Sequence, residues 1–367
     1  MRCLLLVALS FTLLAPAAAR PAVGDVKEGR TLVVIGQSGA DKADAVERAT
    51  GVKPAGAMWY LGLYEDDIQP HLDDMAKAVK ERPGLVPNVG ISFGAISTPS
   101  PPYTAAIAAG AYDDTIAQLA AGLKRLDTVV YLRIGYEFDL LGGQYGPPEV
   151  FKAAYRHVVD ELRSHGVANV NYVWHSAGAF WRATDTSIFA TSSGTVAKTL
   201  RDQPLPQDAQ PIAAFYPGRD YVDAFGISYW QDSCCFGRSA QQARDEYEER
   251  TREILTEARQ MGLPLHISES TPAYVGADSG AESVTWLDNT FRLIEDFDIR
   301  SLNLISIDWR EGGFFAAPFW NGYWPDARIH HHRATRDRFV AEMDDRRYVE
   351  RSRSLPKKLG LRSSRRR

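Results

Sequence analysis

The stretch Thr128–Asp139, TVVYLRIGYEFD, decides how this chain is read. Its first half, Val129–Ile134, is β-branched and aromatic, the composition of a buried strand. The character then changes at one point. Gly135 is followed by Tyr136, Glu137, Phe138 and Asp139, so an apolar strand runs out onto a carboxylate flanked by aromatics. A second stretch repeats the design: PLHISES, Pro264–Ser270, is a short apolar run that ends on Glu269. The two glutamates are 132 residues apart (269 − 137), so only the fold can bring them together.

Six other runs share the strand character: Thr31–Gly36, Gly56–Leu61, Val89–Gly94, Asn169–His175, Val222–Tyr229 and Leu302–Trp309. With Val129–Glu137 and Pro264–Glu269 they make eight strands. Helical patterns fall between them. Gln69–Glu81 is stopped by Pro83-Gly84, and Tyr112–Leu126 carries Ile116, Leu119, Ala120 and Leu123 on one face. Pro147-Pro148 opens a helix that runs to His165, with proline where a first turn tolerates it. Further helices are expected at Ala240–Met261, Glu282–Asp296 and His332–Met343, and Ser176–Pro211 is irregular. Strands alternating with helices imply a parallel sheet, and eight such units predict a single-domain α/β protein, a (β/α)8 TIM barrel over residues 20–344. In that architecture the C-terminal strand ends face the active site. An open doubly wound sheet would carry a G-x-G-x-x-G turn, which VVIGQSGAD at Val33–Asp41 lacks.

Residues 1–19 read as a signal peptide: Arg2 as a positive n-region, Cys3–Leu14 as the apolar core and Ala17-Ala18-Ala19 as a cleavage site. A secreted or periplasmic protein is expected, without membrane insertion, since no later run reaches the roughly 18 apolar residues of a span. The net charge of −4 hides a split. Arg346–Arg367 holds 10 Lys+Arg and 1 acid, a net of +9, which leaves −13 for the rest (−4 − 9). An acidic body is not a nucleic-acid-binding domain. Residues 345–367 are expected to be a disordered basic tail, and the protein a monomer. The mature chain keeps Cys234 and Cys235, adjacent in the loop that leaves the sixth strand. Export exposes them to oxidising conditions with no other partner in the chain, so a vicinal disulfide beside Trp230 and Phe236 is expected.

Two carboxylates at the ends of non-adjacent barrel strands suit glycosidic bond hydrolysis. One protonates the leaving oxygen while the other attacks the anomeric carbon or activates water. The acid needs a raised pKa, which an apolar wall supplies; Tyr136 and Phe138 are candidates for that wall. The nucleophile must stay ionised, with Tyr229 and His266 as candidate donors. Arg133 shares the strand parity of Glu137 and is expected to pair with it. Trp59, Tyr136, Trp174, Tyr229, Trp230 and Trp309 are candidate substrate-binding residues, because aromatic faces near the strand ends suit sugar rings. Structural hydrogen bonding is the expected role of Asp139, Asp223 and Asp308. His330-His331-His332 are adjacent, do not share a helix face and are not expected to hold a metal. No metal or cofactor is called for.

Several local patterns carry a resemblance: MWYLG at Met58–Gly62, ISFGA at Ile91–Ala95, LRIGYEFD at Leu132–Asp139 and Val173-Trp174. YPGRDYVDAFGISYW at Tyr216–Trp230, PLHISES at Pro264–Ser270 and Trp309 complete them. Over Thr31–Met343 the chain resembles the barrel clan of glycoside hydrolases whose catalytic glutamates end strands four and seven. It is most similar to glycoside hydrolase family 26, which includes β-mannanases. The resemblance implies Glu137 as acid/base, Glu269 as nucleophile and Tyr229 as a tyrosine beside the nucleophile. One position departs: that family carries His before the acid/base, the rest of the clan Asn, and this chain Tyr136. The expected activity is that of a secreted, retaining, endo-acting glycosidase on a polysaccharide. The alternatives are a non-catalytic carbohydrate-binding barrel and a lyase on an acidic glycan, for which Arg133, Arg219 and Arg310 are available.

Overall fold

Short strands that are apolar on both faces need cover on both sides, and a closed parallel barrel wrapped in helices supplies it. The computed structural model describes residues 23–94, 103–140, 144–178, 211–230, 240–272, 280–311 and 324–362. The strands are β1 (Thr31–Gly36), β2 (Gly56–Gly62), β3 (Val86–Ser92), β4 (Val130–Ile134), β5 (Val170–Ser176), β6 (Ala224–Tyr229), β7 (Leu265–Ser270) and β8 (Ser301–Ile305). Each pairs in parallel with the next, and β1 pairs with both β8 and β2, which closes the predicted (β/α)8 barrel. The main outer helices are α1 (Asp41–Thr50), α2 (Gln69–Glu81), α3 (Thr104–Ala108), α4 (Asp113–Arg125), α5 (Pro148–Ser164), α6 (Ala240–Gln260), α7 (Gly280–Phe297) and α8 (Arg333–Met343). In α4 the predicted face of Ile116, Leu119, Ala120 and Leu123 is the one that is buried.

Strand alternation sorts the side chains. A Cβ on Gly36 would strike Met58, and one on Gly90 would meet Tyr60 and Tyr136, so those positions face the barrel axis. Tyr131 and Arg133 of β4 face inward too, while Val130, Leu132 and Ile134 pack under the helices. Most strands end within two residues of their prediction, and two stop three or more residues short of it. β4 stops at Ile134, so Glu137 stands on a turn rather than in the strand. β8 stops at Ile305, four residues short of Trp309.

The C-terminal segment corrects an expectation. Residues 345–362 are not a disordered tail. Tyr348–Val349 forms β9, parallel to the lower half of β1, and Leu355–Lys358 forms a short helix, α9. Leu355 and Leu359 are buried, and Arg351 pairs with Glu47 at 2.6 Å. Gly24 N–H donates to Leu359 O at 2.8 Å. On its other side this N-terminal strap meets the barrel, where Tyr131 Oη donates to Gly24 O and Asn171 Nδ2 to Val23 O at 2.9 Å. The two ends of the described chain therefore close the barrel at the N-terminal ends of β4 and β5. Charge counting misses this because the arginines and lysines sit on the outer side of a segment whose leucines are spaced to bury.

The expected leader and Cys234 and Cys235 lie outside the described residues. Among the described residues no helix is long and apolar enough to cross a membrane.

Candidate active site

The turn after β4 builds one side of the site. Gly135 has φ 53° and Glu137 φ 54°, both left-handed. A non-glycine residue in that region costs roughly 1–2 kcal/mol, so surrounding bonds must hold it. They do: Gly135 N–H donates to Ile91 O at 2.8 Å and Leu140 N–H to Glu137 O at 2.9 Å. Gln144 Nε2 also donates to Glu137 O, at 2.8 Å. Gly135 is required for a second reason, since a Cβ there would press on Phe93 and Phe151. The turn aims the Glu137 carboxyl across the barrel mouth, where Oε1 accepts a hydrogen bond from Ser228 Oγ of β6 at 2.6 Å.

An irregularity in β7 builds the other side. Gly226 and Ile227 of β6 pair with His266 and Ile267, but Ser228 pairs with Glu269, so the register slips by one at Ser268. The same slip appears against β8. This is a β-bulge, and it turns two successive side chains, Ser268 and Glu269, to the barrel side. Glu269 Oε1 then accepts from Tyr60 Oη at 3.0 Å and pairs with Arg133 Nη1. Arg133 is fully buried, its guanidinium 5.0 Å from the Tyr60 ring centre and 5.6 Å from that of Tyr136.

The two carboxyls are thus similarly buried and differently served. Burial pushes Glu137 up to about 8; the neighbouring charges of Glu269 and Asp139 add to this, while the Ser228 hydrogen bond and Arg133 oppose it. Glu269 instead has a permanent cation and a phenol on one oxygen. Burial and the Glu269 charge push the Tyr60 phenol well above its usual range, so it remains a donor. His175, also fully buried, is held well below the usual imidazole range by burial and Arg133.

The predicted residues divide. Tyr136 faces the site, stacked 6.3 Å from His175 and edge-on to Tyr60 at 5.6 Å. Trp230 and Trp309 each pack on Trp324, at 5.8 and 5.1 Å, and Trp309 Nε1 donates to Thr271 two residues past Glu269. Trp59, Trp174 and Tyr229 point away from the barrel mouth. Trp59 Nε1 donates to Asp74 of α2 at 2.8 Å. Trp174 stacks on Phe138 at 5.0 Å in an aromatic layer with Phe215 and Phe225. Tyr229 Oη donates to Glu248 of α6 at 2.9 Å, so Tyr60 occupies the place expected for it beside Glu269. Phe138 lies behind the site, leaving Tyr136 as the wall. Arg133 pairs with Glu269 rather than Glu137, because the turn lifts Glu137 off the strand while the bulge brings Glu269 in. His266 sits lower in the barrel, edge-on to Tyr131 at 5.5 Å.

Tyr60, His175 and Ser228 were missed as site residues. Tyr60 shares the inward parity of Met58, which the sequence carries in plain view, but adjacent aromatics in MWYLG offer no composition signal for which faces in. The three aspartates take structural bonds: Asp139 accepts from Ser176 Oγ and Ala177 N–H, each at 2.6 Å, Asp223 from Tyr172 N–H at 2.9 Å, and Asp308 pairs with Arg310 at 2.8 Å. His331 pairs with Asp326 at 3.0 Å. Among the described residues the grouping with metal-ligand spacing is Asp113, His157 and Glu161, on α4 and α5 in the outer helix layer.

No protein-family model matches the chain. The β-1,3-xylanase TXYA of a Vibrio sp is 26% identical over 367 residues, a match covering 91% of this chain and 69% of that protein. A β-1,3-xylanase of an Alcaligenes sp is 26% identical over 363 residues, covering 90% of this chain and 66% of its own length. The chain resembles glycoside hydrolases. Among solved structures, GH26C from Muricauda sp. MAR_2010_75 has a TM-score of 0.59 at 14% identity, covering 91% of each chain. At that identity the likeness is one of fold, and it is the same fold that the sequence motifs implied. The chain spans about two thirds of the length of the curated relatives it matches.

Proposed function

We propose that this chain is a retaining, endo-acting glycoside hydrolase, with Glu137 as acid/base and Glu269 as nucleophile. Glu269 attacks the anomeric carbon while Glu137 gives its proton to the departing glycosidic oxygen, leaving a glycosyl ester on Glu269. Glu137, now a carboxylate, takes a proton from water. That water attacks the same carbon, and Glu269 leaves as a carboxylate. The observation that supports this reading is the contrast between the two carboxyls. Glu137 is kept protonated by burial and the Glu269 charge, while Glu269 is matched by Arg133 and Tyr60. Arg133 is thereby engaged and does not provide the free cation that a lyase on an acidic glycan needs.

The substrate proposed is a β-1,3-linked xylan, in line with the two curated relatives. Tyr136, in place of the histidine of the mannanase-containing family, fits a departure from mannan. Export through the N-terminal leader would bring the enzyme to such a polymer. The test is a panel of β-1,3-xylan, β-1,4-xylan and β-mannan, with the anomeric configuration of the first products read by NMR. β-Configured oligosaccharides from β-1,3-xylan are expected. Glu269→Ala should be inactive, and azide should restore turnover to an α-glycosyl azide. Products of inverted configuration, or a Glu269→Ala variant that still cleaves without azide, would overturn the assignment.

A further inference from the structure

The side chains between the two carboxyls form one hydrogen-bonded line, and chemistry fixes its direction. Arg133 has donors only. Its Nη1 pairs with Glu269 and lies 3.4 Å from His175 Nδ1. The contact with His175 is long, but it forbids a proton on Nδ1, where it would face the N–H of a cation. His175 is neutral, so its proton stands on Nε2. Nε2 is 3.0 Å from Ser228 Oγ, which therefore accepts there. The Ser228 hydroxyl proton then goes to Glu137 Oε1, 2.6 Å away. Every donor in the line points from Arg133 toward Glu137.

We propose that His175 and Ser228 are positioning residues that keep the acidic proton of Glu137 on Oε2, the oxygen left for the substrate. The proposal rests on the reading of Glu137 as acid/base. A proton on Oε1 would meet the Ser228 hydroxyl proton head-on. Reversing Ser228 would leave that hydroxyl proton without an acceptor unless His175 moved its own proton to Nδ1, against Arg133. When Glu137 later acts as base, the same hydroxyl donates to the carboxylate and steadies its charge. Among the described residues, the other charged and titratable groups that face Glu137 are Glu269 from β7, Arg133 from β4, Asp139 on its own turn, and Tyr136 and Tyr145.

The experiment compares Ser228→Ala and His175→Phe with the intact enzyme on two substrates. One is the polysaccharide, whose leaving group needs a proton. The other is an aryl glycoside with an acidic phenol, which needs none. Cleavage of the polysaccharide should fall roughly 10–100-fold in both variants, with the aryl glycoside affected far less. The alkaline limb of kcat/KM should rise by about one pH unit in Ser228→Ala, since a bond to the ionised form is lost. Ser228→Thr, which keeps the hydroxyl, should return the limb to its original place. If Ser228→Ala does not fold, Ser228→Cys, a weak donor of similar size, carries the same expectations at smaller amplitude. Equal losses on both substrates, or an unmoved alkaline limb, would overturn the proposal while Glu137→Gln still abolished polysaccharide cleavage. If Glu137→Gln itself cleaves the polysaccharide normally, the acid/base reading fails first.

Discussion

Glu137, on the turn after β4, and Glu269, near the end of β7, are the same residue type, 7% and 5% exposed, so burial alone cannot set them apart. The difference comes from partners. A serine hydroxyl is a modest donor, whereas Arg133 is a charge that cannot be titrated away. The raised pKa of Glu137 also bears on stability. Its carboxyl is held near 8 in the fold against 4.5 in the open chain. Between those values the unfolded chain releases a proton that the folded one retains, so stability falls as pH rises through that window. Glu137→Gln removes the cost and keeps an acceptor for Ser228. The variant should match the parent below pH 4.5 and be more stable than it near pH 8 by several kcal/mol, and so melt at a higher temperature there. Thermal melts across that range check it; a variant with no advantage at the alkaline end would mean that Glu137 is already ionised in the free protein.

At the scale of elements, strand existence was legible because β-branched and aromatic side chains concentrate where a pleated, buried surface can pack them. β1 and α2 came out with their predicted bounds, Thr31–Gly36 and Gln69–Glu81. Side-chain direction was less legible, because it depends on parity, and parity is broken where the site is made. Strict alternation through β7 would put His266 and Glu269 on opposite faces; the bulge at Ser268 puts both inside. Nothing in PLHISES announces that bulge. Its trace lies on the neighbouring strand, where Gly226 leaves room: a Cβ there would overlap Ser268 Oγ and crowd Val173. Gly226→Ala should therefore push on Ser268 and move Glu269 relative to Ser228 and Arg133. A misplacement of about 1 Å at a reacting group costs on the order of 10²-fold in rate. We expect kcat to drop by that order with the circular dichroism spectrum unchanged. Parental activity in a folded Gly226→Ala enzyme would show that the bulge tolerates a side chain beneath it, and that Glu269 is placed by Tyr60 and Arg133 alone.

For the whole molecule, the two ends of the barrel do separate work. The C-terminal strand ends carry Glu137, Glu269 and the Trp230–Trp309–Trp324 cluster, while the N-terminal ends are closed by the strap at Val23–Gly24 and the segment after α8. The barrel was legible as eight alternating units, but its lower closure was not. That segment has an excess of positive charge, and composition weighs charge without asking where each side chain points. Leu355 and Leu359, 2% and 5% exposed, are spaced one helical turn apart, at the start of α9 and at its C-cap, and Gly84 gives up its side chain so that the backbone at Ser352 can pass. Burying a leucine of this kind is worth roughly 2–5 kcal/mol against alanine. The segment also holds Gly24 in place, and Gly24 in turn satisfies the phenol of Tyr131 inside the barrel. Ending the chain after Glu350, which keeps β9, should thus remove both leucines and release the strap. The melting temperature is expected to fall by several degrees or more, at about 2 °C or somewhat less per kcal/mol for a domain of more than 250 residues. Leu359→Ala alone should give part of the same loss. KM for the polysaccharide should stay at its parental value below the melting range, because the closure lies at the opposite end of the barrel from Glu137 and Glu269. An unchanged melting temperature in the truncated chain would show that the segment rests on the barrel without supporting it, and a raised KM in a folded truncation would mean that the two ends are coupled.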